Sequence, residues 1–455
     1  MSRGDWNAIV LLGRAERAQG RDSLLVAREL ALAYERQGRV RDAAQVVTEA
    51  WSASGREALW AEQRLMQLSP ADARGVTDVL RDAVARRPER SDLALALATL
   101  FARTGQPAAA ATTLANADRP VMRPALRQRW ADAALAERME PDSAAALEAL
   151  VSLAGDTRFD RVLRLNAARQ AYGTAIARGA RLAFAPRVSA ALADVAPSAW
   201  GAELLADVAR ALREGGRGAE SRALLERDPA VATGMPELAL ERLLGRLREG
   251  PPAAVVPALD SLARRWAPAG YMRAEAEFFA CAWDSAQAHF DAAARLPGTT
   301  DAIAALDRWY LLDEARQDPA LPAYARQAYA RWRGDDVRAR ALADSLHRVL
   351  PRTSALCSTV ALAAADARAA ANDWAGALAA ALVVADSLPA DRLAPLARQR
   401  AGELLLARGD SRGALAQFEE GLARYPRAWN APEMRRRAER LRKDLRGATP
   451  RPEVP

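Results

Sequence analysis

Two stretches, Asn372-Asp373-Trp374-Ala375-Gly376-Ala377-Leu378-Ala379 and Gly409-Asp410-Ser411-Arg412-Gly413-Ala414-Leu415-Ala416, align without a gap at a spacing of 37 residues. The register holds downstream, where Ala381 meets Phe418, Val384 meets Gly421 and Pro389 meets Pro426. An ungapped self-match of this length is one structural unit used twice, and periods of 20 to 50 residues mark repeat architectures. A second array lies near the N-terminus, at spacings of 33 and then 34 residues. Tyr34, Gln67 and Phe101 form one series, Val47, Leu80 and Leu114 a second, and Ala50, Ala83 and Ala117 a third.

Each unit has the same internal logic. A stretch with apolar residues at three- and four-residue spacing, such as Leu30 and Tyr34, reads as one face of a helix. A residue that tolerates left-handed backbone closes it, and Gly38, Gly105, Gly216, Gly334 and Gly409 occupy that place. A second helix follows, with small residues (Ala43, Ala110, Ala377, Ala414) where it approaches the first. A proline such as Pro88, Pro351, Pro389 or Pro426 then blocks continuation. Composition agrees. Hydrophobic residues are 51% of the chain but aromatics only 5%, so the apolar content is mostly Ala and Leu, both good helix formers. No alternating Val, Ile or Thr run reads as a strand.

The pattern resembles the tetratricopeptide repeat family, in a degenerate bacterial-type form. The best match runs from Ala401-Gly402 to Pro426, with Gly402, Gly409, Ala414, Phe418, Gly421 and Pro426 at the family's places. Leu30, Ala31, Tyr34, Gly38, Ala43 and Ala50 match nearly as well. Ala274 to Pro297 offers Ala286, Phe290 and Ala293, and Trp60 to Pro88 is a unit with an altered turn at Ser69-Pro70. The resemblance implies an all-α fold, a right-handed α-solenoid (superhelix) of stacked antiparallel helix hairpins. Residues 1–118 are expected to form an N-terminal array and 119–197 an irregular helical middle punctuated by Pro120, Pro124, Pro141, Pro186 and Pro197. Residues 198–446 are expected to form a C-terminal array ending in a capping helix, and Gly447 to Pro455 a disordered tail.

Stacked hairpins share one core and leave a long groove lined by the first helices. The resemblance implies that this groove takes an extended peptide or a helix of a partner. The expected groove-facing residues are Arg28, Leu32 and Glu35, then Leu65 and Leu68, then Leu95 and Thr99, and in the last full unit Gln399, Glu403 and Leu406. The expected function is a non-catalytic scaffold or adaptor for an unknown protein or peptide. The competing expectation is a regulatory repeat protein that binds nucleic acid or another polyanion through arginines.

The charge pattern motivates that alternative. The net charge is +8, and of 65 basic residues only Lys443 is lysine. This bias, with abundant Ala, reads as the codon preference of a GC-rich genome. The excess is nevertheless local. Arg158, Arg161, Arg164, Arg169, Arg178, Arg181 and Arg187 face one acid, Asp160, within their stretch. Of these, Arg158, Arg161, Arg164, Arg178 and Arg181 are the candidate basic patch. From Arg435 to Arg451, eight basic residues stand against Glu439 and Asp444.

Candidate chemistry is sparse. Cys281, His289, His347 and Cys357 are the only thiols and imidazoles, and their spacings do not match the short loop spacings of zinc modules. Neither a metal nor a cofactor is expected. Gly215-Gly216-Arg217-Gly218 lacks the Lys-Ser/Thr of a phosphate loop and reads as a turn between helices. No nucleophile elbow or His-Glu-x-x-His is present. Asp335-Asp336 reads as solvated helix surface. The N-terminus lacks a signal peptide's apolar core, and no apolar run approaches the roughly 20 residues of a membrane span. The expected location is cytoplasmic, or extracytoplasmic if a leader has been removed.

Overall fold

The computed structural model describes residues 5–19, 24–54, 58–121, 124–137, 140–195, 201–227, 234–296 and 301–447. Among these every regular element is helical, and the chain divides into two compact units, 1–238 and 239–455. The expected tail at 448–455, Pro197 and Pro297 lie outside the described residues.

The first unit runs α1 (Trp6–Ala18), α2 (Leu24–Arg36), α3 (Val40–Ser54), α4 (Ala58–Leu68), α5 (Ala73–Arg86), α6 (Ser91–Arg103), α7 (Pro107–Ala117), α8 (Leu126–Glu137), α9 (Glu140–Ala154), α10 (Arg161–Ala177), α11 (Arg181–Ala191), α12 (Ala202–Glu214) and α13 (Gly218–Glu226). Across the boundary comes α14 (Pro236–Glu249). The second unit continues with α15 (Val256–Arg265), α16 (Gly270–Phe279), α17 (Trp283–Ala294), α18 (Asp301–Ala315), α19 (Leu321–Arg333), α20 (Asp336–Val349), α21 (Cys357–Ala370), α22 (Trp374–Ser387), α23 (Ala394–Ala407), α24 (Ser411–Arg424) and α25 (Ala431–Gly447). Each unit is a tetratricopeptide-like α-solenoid of antiparallel helix hairpins packed on their neighbours.

One turn recurs through both units. Gly38, Gly105, Gly179, Gly216, Cys281, Gly334, Asn372 and Gly409 all have left-handed backbone, with φ between 61° and 80°. At Gly409 the N–H donates to the Leu406 carbonyl, and the next N–H, of Asp410, donates to Leu405. The same pair of bonds forms at every one of the eight, for example Gly38 to Glu35 with Arg39 to Tyr34. This is the Schellman closure, which satisfies carbonyls that a helix end leaves open. The five glycines expected to close first helices all do so. Asn372, which aligns with Gly409, adopts the same conformation, and Gly179 and Cys281 fill the place in two further hairpins.

In three units the next helix start is also built in. The Asp373 and Asp410 carboxylates accept from the Gly376 and Gly413 N–H at 3.0 and 2.8 Å, and Asp72 caps α5 through Gly75 N–H at 2.8 Å. A Cβ on any of these glycines would fall 2.1 to 2.4 Å from the capping carboxylate oxygen. The glycine leaves room for the cap. Pro88, Pro351, Pro389 and Pro426 each stand two residues beyond the end of a second helix.

Packing follows the small-against-large pattern. Ala43, Ala110, Ala377 and Ala414 are fully buried, as are Phe290 and Phe418. Gly402 sits under Phe418, and a Cβ there would meet the ring at 2.5 Å. In the cap, Met434, Ala438 and Leu441 of α25 bury against Ala414 and Phe418, and its other faces are charged and exposed. The first unit has one continuous core from Val10 to Leu238, which includes described residues of the expected irregular middle from Ala125 to Val195. Two prolines expected as punctuation there lie inside helices instead. Pro186 is within α11 and Pro141 is the second residue of α9, where a missing N–H costs no helix bond.

Gly402→Ala is expected to cost about 1 to 3 kcal/mol by overpacking, and Phe418→Leu in the same chain to recover part of it. Gly409→Ala is expected to cost about 1 kcal/mol through its left-handed backbone, with no rescue by Phe418→Leu. Urea denaturation of the single and double variants measures both.

Candidate partner-binding faces

The helix preceding each left-handed turn is the first helix of its hairpin, and side-chain contacts place successive first helices side by side. In the first unit the Arg28 guanidinium of α2 lies 5.2 Å from the Trp60 ring centroid of α4, and Glu35 pairs with Arg64 between the same helices. The Trp130 indole of α8 donates to Thr99 Oγ1 of α6 at 3.1 Å. Gln170 of α10 donates to Asp132 of α8 at 2.7 Å, and Tyr172 donates to the Asp207 carbonyl of α12 at 3.0 Å. These bonds outline one face built by α2, α4, α6, α8, α10 and α12.

That face holds a pocket of about 330 Å³. Its apolar lining comes from Trp51 at the end of α3, Ala58 of α4, Leu95 of α6, and Trp130, Ala133 and Ala134 of α8. Glu62, Asp92, Thr99, Arg103 and Arg129 supply its polar atoms. Asp92 is held by Arg90 at 2.7 Å, a hydrogen bond that lowers its pKa against the opposing effect of burial. Leu95 and Thr99 were expected on this face from sequence. Trp51 and Trp130 were not, although carrying the 34-residue spacing one unit past Leu95 reaches Arg129 and its neighbour.

Arg28 is exposed and Leu32 and Glu35 are half-buried, all on α2. Leu65 and Leu68 correct the expectation. They are 0% and 2% exposed and form part of the core of the unit rather than its face. Apolar spacing alone does not tell the core side of a wide apolar stripe from its edge.

The corresponding face of the second unit carries a repeated ion pair. Asp366 of α21 takes Arg331 of α19 at 3.2 Å and Arg400 of α23 at 3.7 Å. One unit on, Glu403 of α23 takes Arg437 of α25 at 3.1 Å. Asp366 and Glu403 are 37 residues apart, as are Arg400 and Arg437, so one ion pair between neighbours occurs twice. Gln399 donates to Glu403 at 2.9 Å and accepts from Asn430 at 3.0 Å. Leu406 is half-buried and packs against the Phe418 cluster. Arg331, Asp366, Trp374, Arg400 and Glu403 border a pocket of about 350 Å³.

The arginine-rich stretch is not a uniform patch. Arg164 is 5% exposed; it donates to the Ala154 carbonyl at 2.8 Å and to Asp194 at 2.5 Å, and so leaves the candidate patch. Its hydrogen bond pulls the Asp194 carboxyl down to about 2. Arg158 binds Asp156 at 2.7 Å and the Ala115 carbonyl at 3.0 Å. Hydrogen bonds from Arg158 and Arg127 hold the Asp156 carboxyl well below the usual carboxylate range. Arg181 pairs with Glu214, and Arg187 with Glu148. Arg161 and Arg178 are exposed, and neither is without a partner.

The same use of arginine recurs elsewhere. Arg127, 1% exposed, bridges Asp118 at 2.9 Å, Ser152 at 3.0 Å and Asp156 at 2.5 Å. Arg398, 2% exposed, reaches Gln417, Asp386, Glu420 and the Ala385 carbonyl. Arg90 and Arg227 bond carbonyls near the ends of α3 and α11. Cations there complement the negative end of the helix dipole.

Cys281 and Cys357 are free thiols. Cys281 is the left-handed residue between α16 and α17, and Cys357 is buried at the start of α21. His289 binds the buried Glu277 at 2.7 Å. Burial and Arg368 lower the His347 pKa. Gly215 to Gly218 is the turn between α12 and α13, and Asp335 caps α20 through the Arg338 N–H at 3.2 Å.

No protein-family model matches the chain, and no curated protein matches it. Several solved structures are similar at low identity. The tetratricopeptide domain of P58(IPK) is 13% identical, covering 88% of this chain and 100% of that one, with a TM-score of 0.24. Yeast Tom70 is 13% identical over 93% and 96%, with a TM-score of 0.25. A tetratricopeptide repeat protein from Parabacteroides merdae is 13% identical over 61% and 98%, with a TM-score of 0.26.

Asp118→Ala leaves Arg127 to Asp156 and Ser152 and removes the acceptor of the buried Leu126 and Arg127 N–H groups. It is expected to cost about 1 to 3 kcal/mol, measured by urea denaturation. The lowered Asp194 carboxyl makes a stabilising contribution that is present above its ordinary pKa, near 4, and is lost as pH falls toward 2. Urea denaturation is expected to show the wild type more stable than Asp194→Asn at pH 7, with the difference shrinking as pH falls from about 4 toward 2; a difference independent of pH would contradict this.

Proposed function

We propose that the chain is a non-catalytic scaffold that holds a peptide or helix of a partner protein on its first-helix faces. The observation that carries this reading is the pocket between α4, α6 and α8. Three successive first helices converge on one depression floored by Trp51, Leu95 and Trp130. An apolar floor with a polar rim is the make-up of a site that anchors a side chain. The face crosses several repeats, so it suits an extended ligand better than a compact one. Arg28, Leu32, Glu35, Leu95, Gln399 and Glu403 are the face residues proposed to meet it.

The polyanion reading draws less support. It needs arginines free to meet phosphates, and Arg158, Arg164, Arg181 and Arg187 already bond carboxylates within the chain.

Site-specific photo-crosslinking tests the proposal. A benzophenone side chain at Leu95 is expected to give a discrete partner adduct, and one at the exposed Leu182 of the second helix α11 none. Leu95→Arg in the unlabelled chain is expected to reduce capture of that partner about tenfold or more, the effect of losing a central apolar anchor. Equal adducts from both positions would remove the face assignment.

A further inference from the structure

Helix α1 leaves an apolar face uncovered. Its inner face buries Val10 and Gly13, and a Cβ on Gly13 would meet Leu30 of α2 at 3.2 Å. Ala8, Leu11, Leu12 and Ala15 are exposed, Leu11 at 70% and Leu12 at 64%. Spacings of three, four and seven residues put these four on one side of the helix, away from the buried one. We propose that this face pairs with α1 of a second copy of the chain, antiparallel, about a two-fold axis between Leu11 and Leu12. The pairing stands apart from the scaffold reading, since none of the four residues lines the α4–α6–α8 pocket.

Charge points to a second copy rather than to a basic or acidic partner. The stripe holds no ionisable group. The charged residues of α1 are engaged within the chain: Arg14 donates to the Tyr34 hydroxyl at 2.7 Å, Arg17 pairs with Glu49 at 2.8 Å, and Glu16 also has a partner. Two copies of this face therefore meet with no like charges opposed. The stripe is also self-complementary. In the two-fold arrangement Ala8 faces Ala15 of the second copy and Leu11 faces Leu12, each contact occurring twice. The alanines let the backbones approach, and the leucines fill the centre. Because the same patch serves on both chains, the assembly closes at two.

Other helices show what an outer face left to water carries here. On α25 every exposed residue among those described is charged except Pro432. On α18, Ile303, Leu306 and Tyr310 share an exposed face, but Asp307 and Glu314 stand in it. Arg392 pairs with both acids and lies 5.9 Å from the Tyr310 ring centroid. The α1 stripe has neither acid nor cation among its residues. One face of a 13-residue helix buries less than the roughly 800 Å² per partner of a standard interface. The pair is therefore expected to be weak and dependent on concentration.

Sedimentation velocity of the full chain tests this. The wild type is expected to pass from monomer to dimer between about 1 and 300 µM, the range of an interface below standard size. Leu11→Glu and Leu12→Arg are each expected to weaken pairing about tenfold or more, since each puts a charge into an apolar centre. Mixed in equal amounts, the two variants are expected to pair again. The substituted position 11 of one copy then faces the substituted position 12 of the other with opposite charge, and two leucines meet across the axis. Circular dichroism checks that both variants fold. A wild type that stays monomeric at the top of that range would overturn the pairing, and a photo-crosslinker at Leu12 would then show whether another protein or another segment of the chain covers the face. A dimer that neither variant weakens would overturn the interface. Loss in both variants with no recovery on mixing would overturn the antiparallel register.

Discussion

A helix hairpin needs its chain to reverse within about three residues without leaving helix-end carbonyls unbonded. Here that constraint is met by one residue with left-handed backbone, used eight times among the described residues. Everything else in the fold depends on it. The two Schellman bonds fix where the first helix stops. The residue after the turn is then placed to start the second helix, and where it is aspartate it caps that helix as well. With both ends fixed, Ala377 or Ala414 faces its neighbour at close range and Phe418 lands over Gly402. The stacking of one unit on the next follows from faces that these turns have aligned.

Arginine has a second structural role that the net charge conceals. Arg127, Arg164 and Arg398 are buried, and each lies near the start of a first helix. Their guanidiniums reach carboxylates and helix-end carbonyls of adjacent elements. A planar group with five donors can hold several acceptors at once, which lysine cannot do. The basic stretch 158–187 is therefore largely spent inside its own unit.

Much of this was legible in the sequence, because the turn residues are chemically distinctive. Glycine at 38, 105, 216, 334 and 409 is readable as left-handed, and the 37-residue self-match brings Asn372 with them. Cys281 was not readable, since nothing in a cysteine announces positive φ. Gly376 and Gly413 were visible as repeated residues, but their reason lies in the volume of the aspartate three positions earlier. Pro186 misled because a proline inside a helix is uncommon. For the candidate face, periodicity found the right helices and placed Leu95 and Thr99 correctly. It misplaced Leu65 and Arg164, whose exposure is decided by neighbours distant in sequence. The Trp51 and Trp130 floor joins residues 79 positions apart, a meeting that only the stacking of three hairpins brings about.

The functional reading thus rests on geometry within the first unit: first helices aligned in a row and a depression between three of them. The most direct measurement is hydrogen–deuterium exchange of the full chain with and without a bound peptide partner. The account predicts slowed exchange in residues 58–68, 91–103 and 126–137, with the second helices at 73–86 and 107–117 unchanged. Protection concentrated on those second helices, or confined to the second unit, would contradict it.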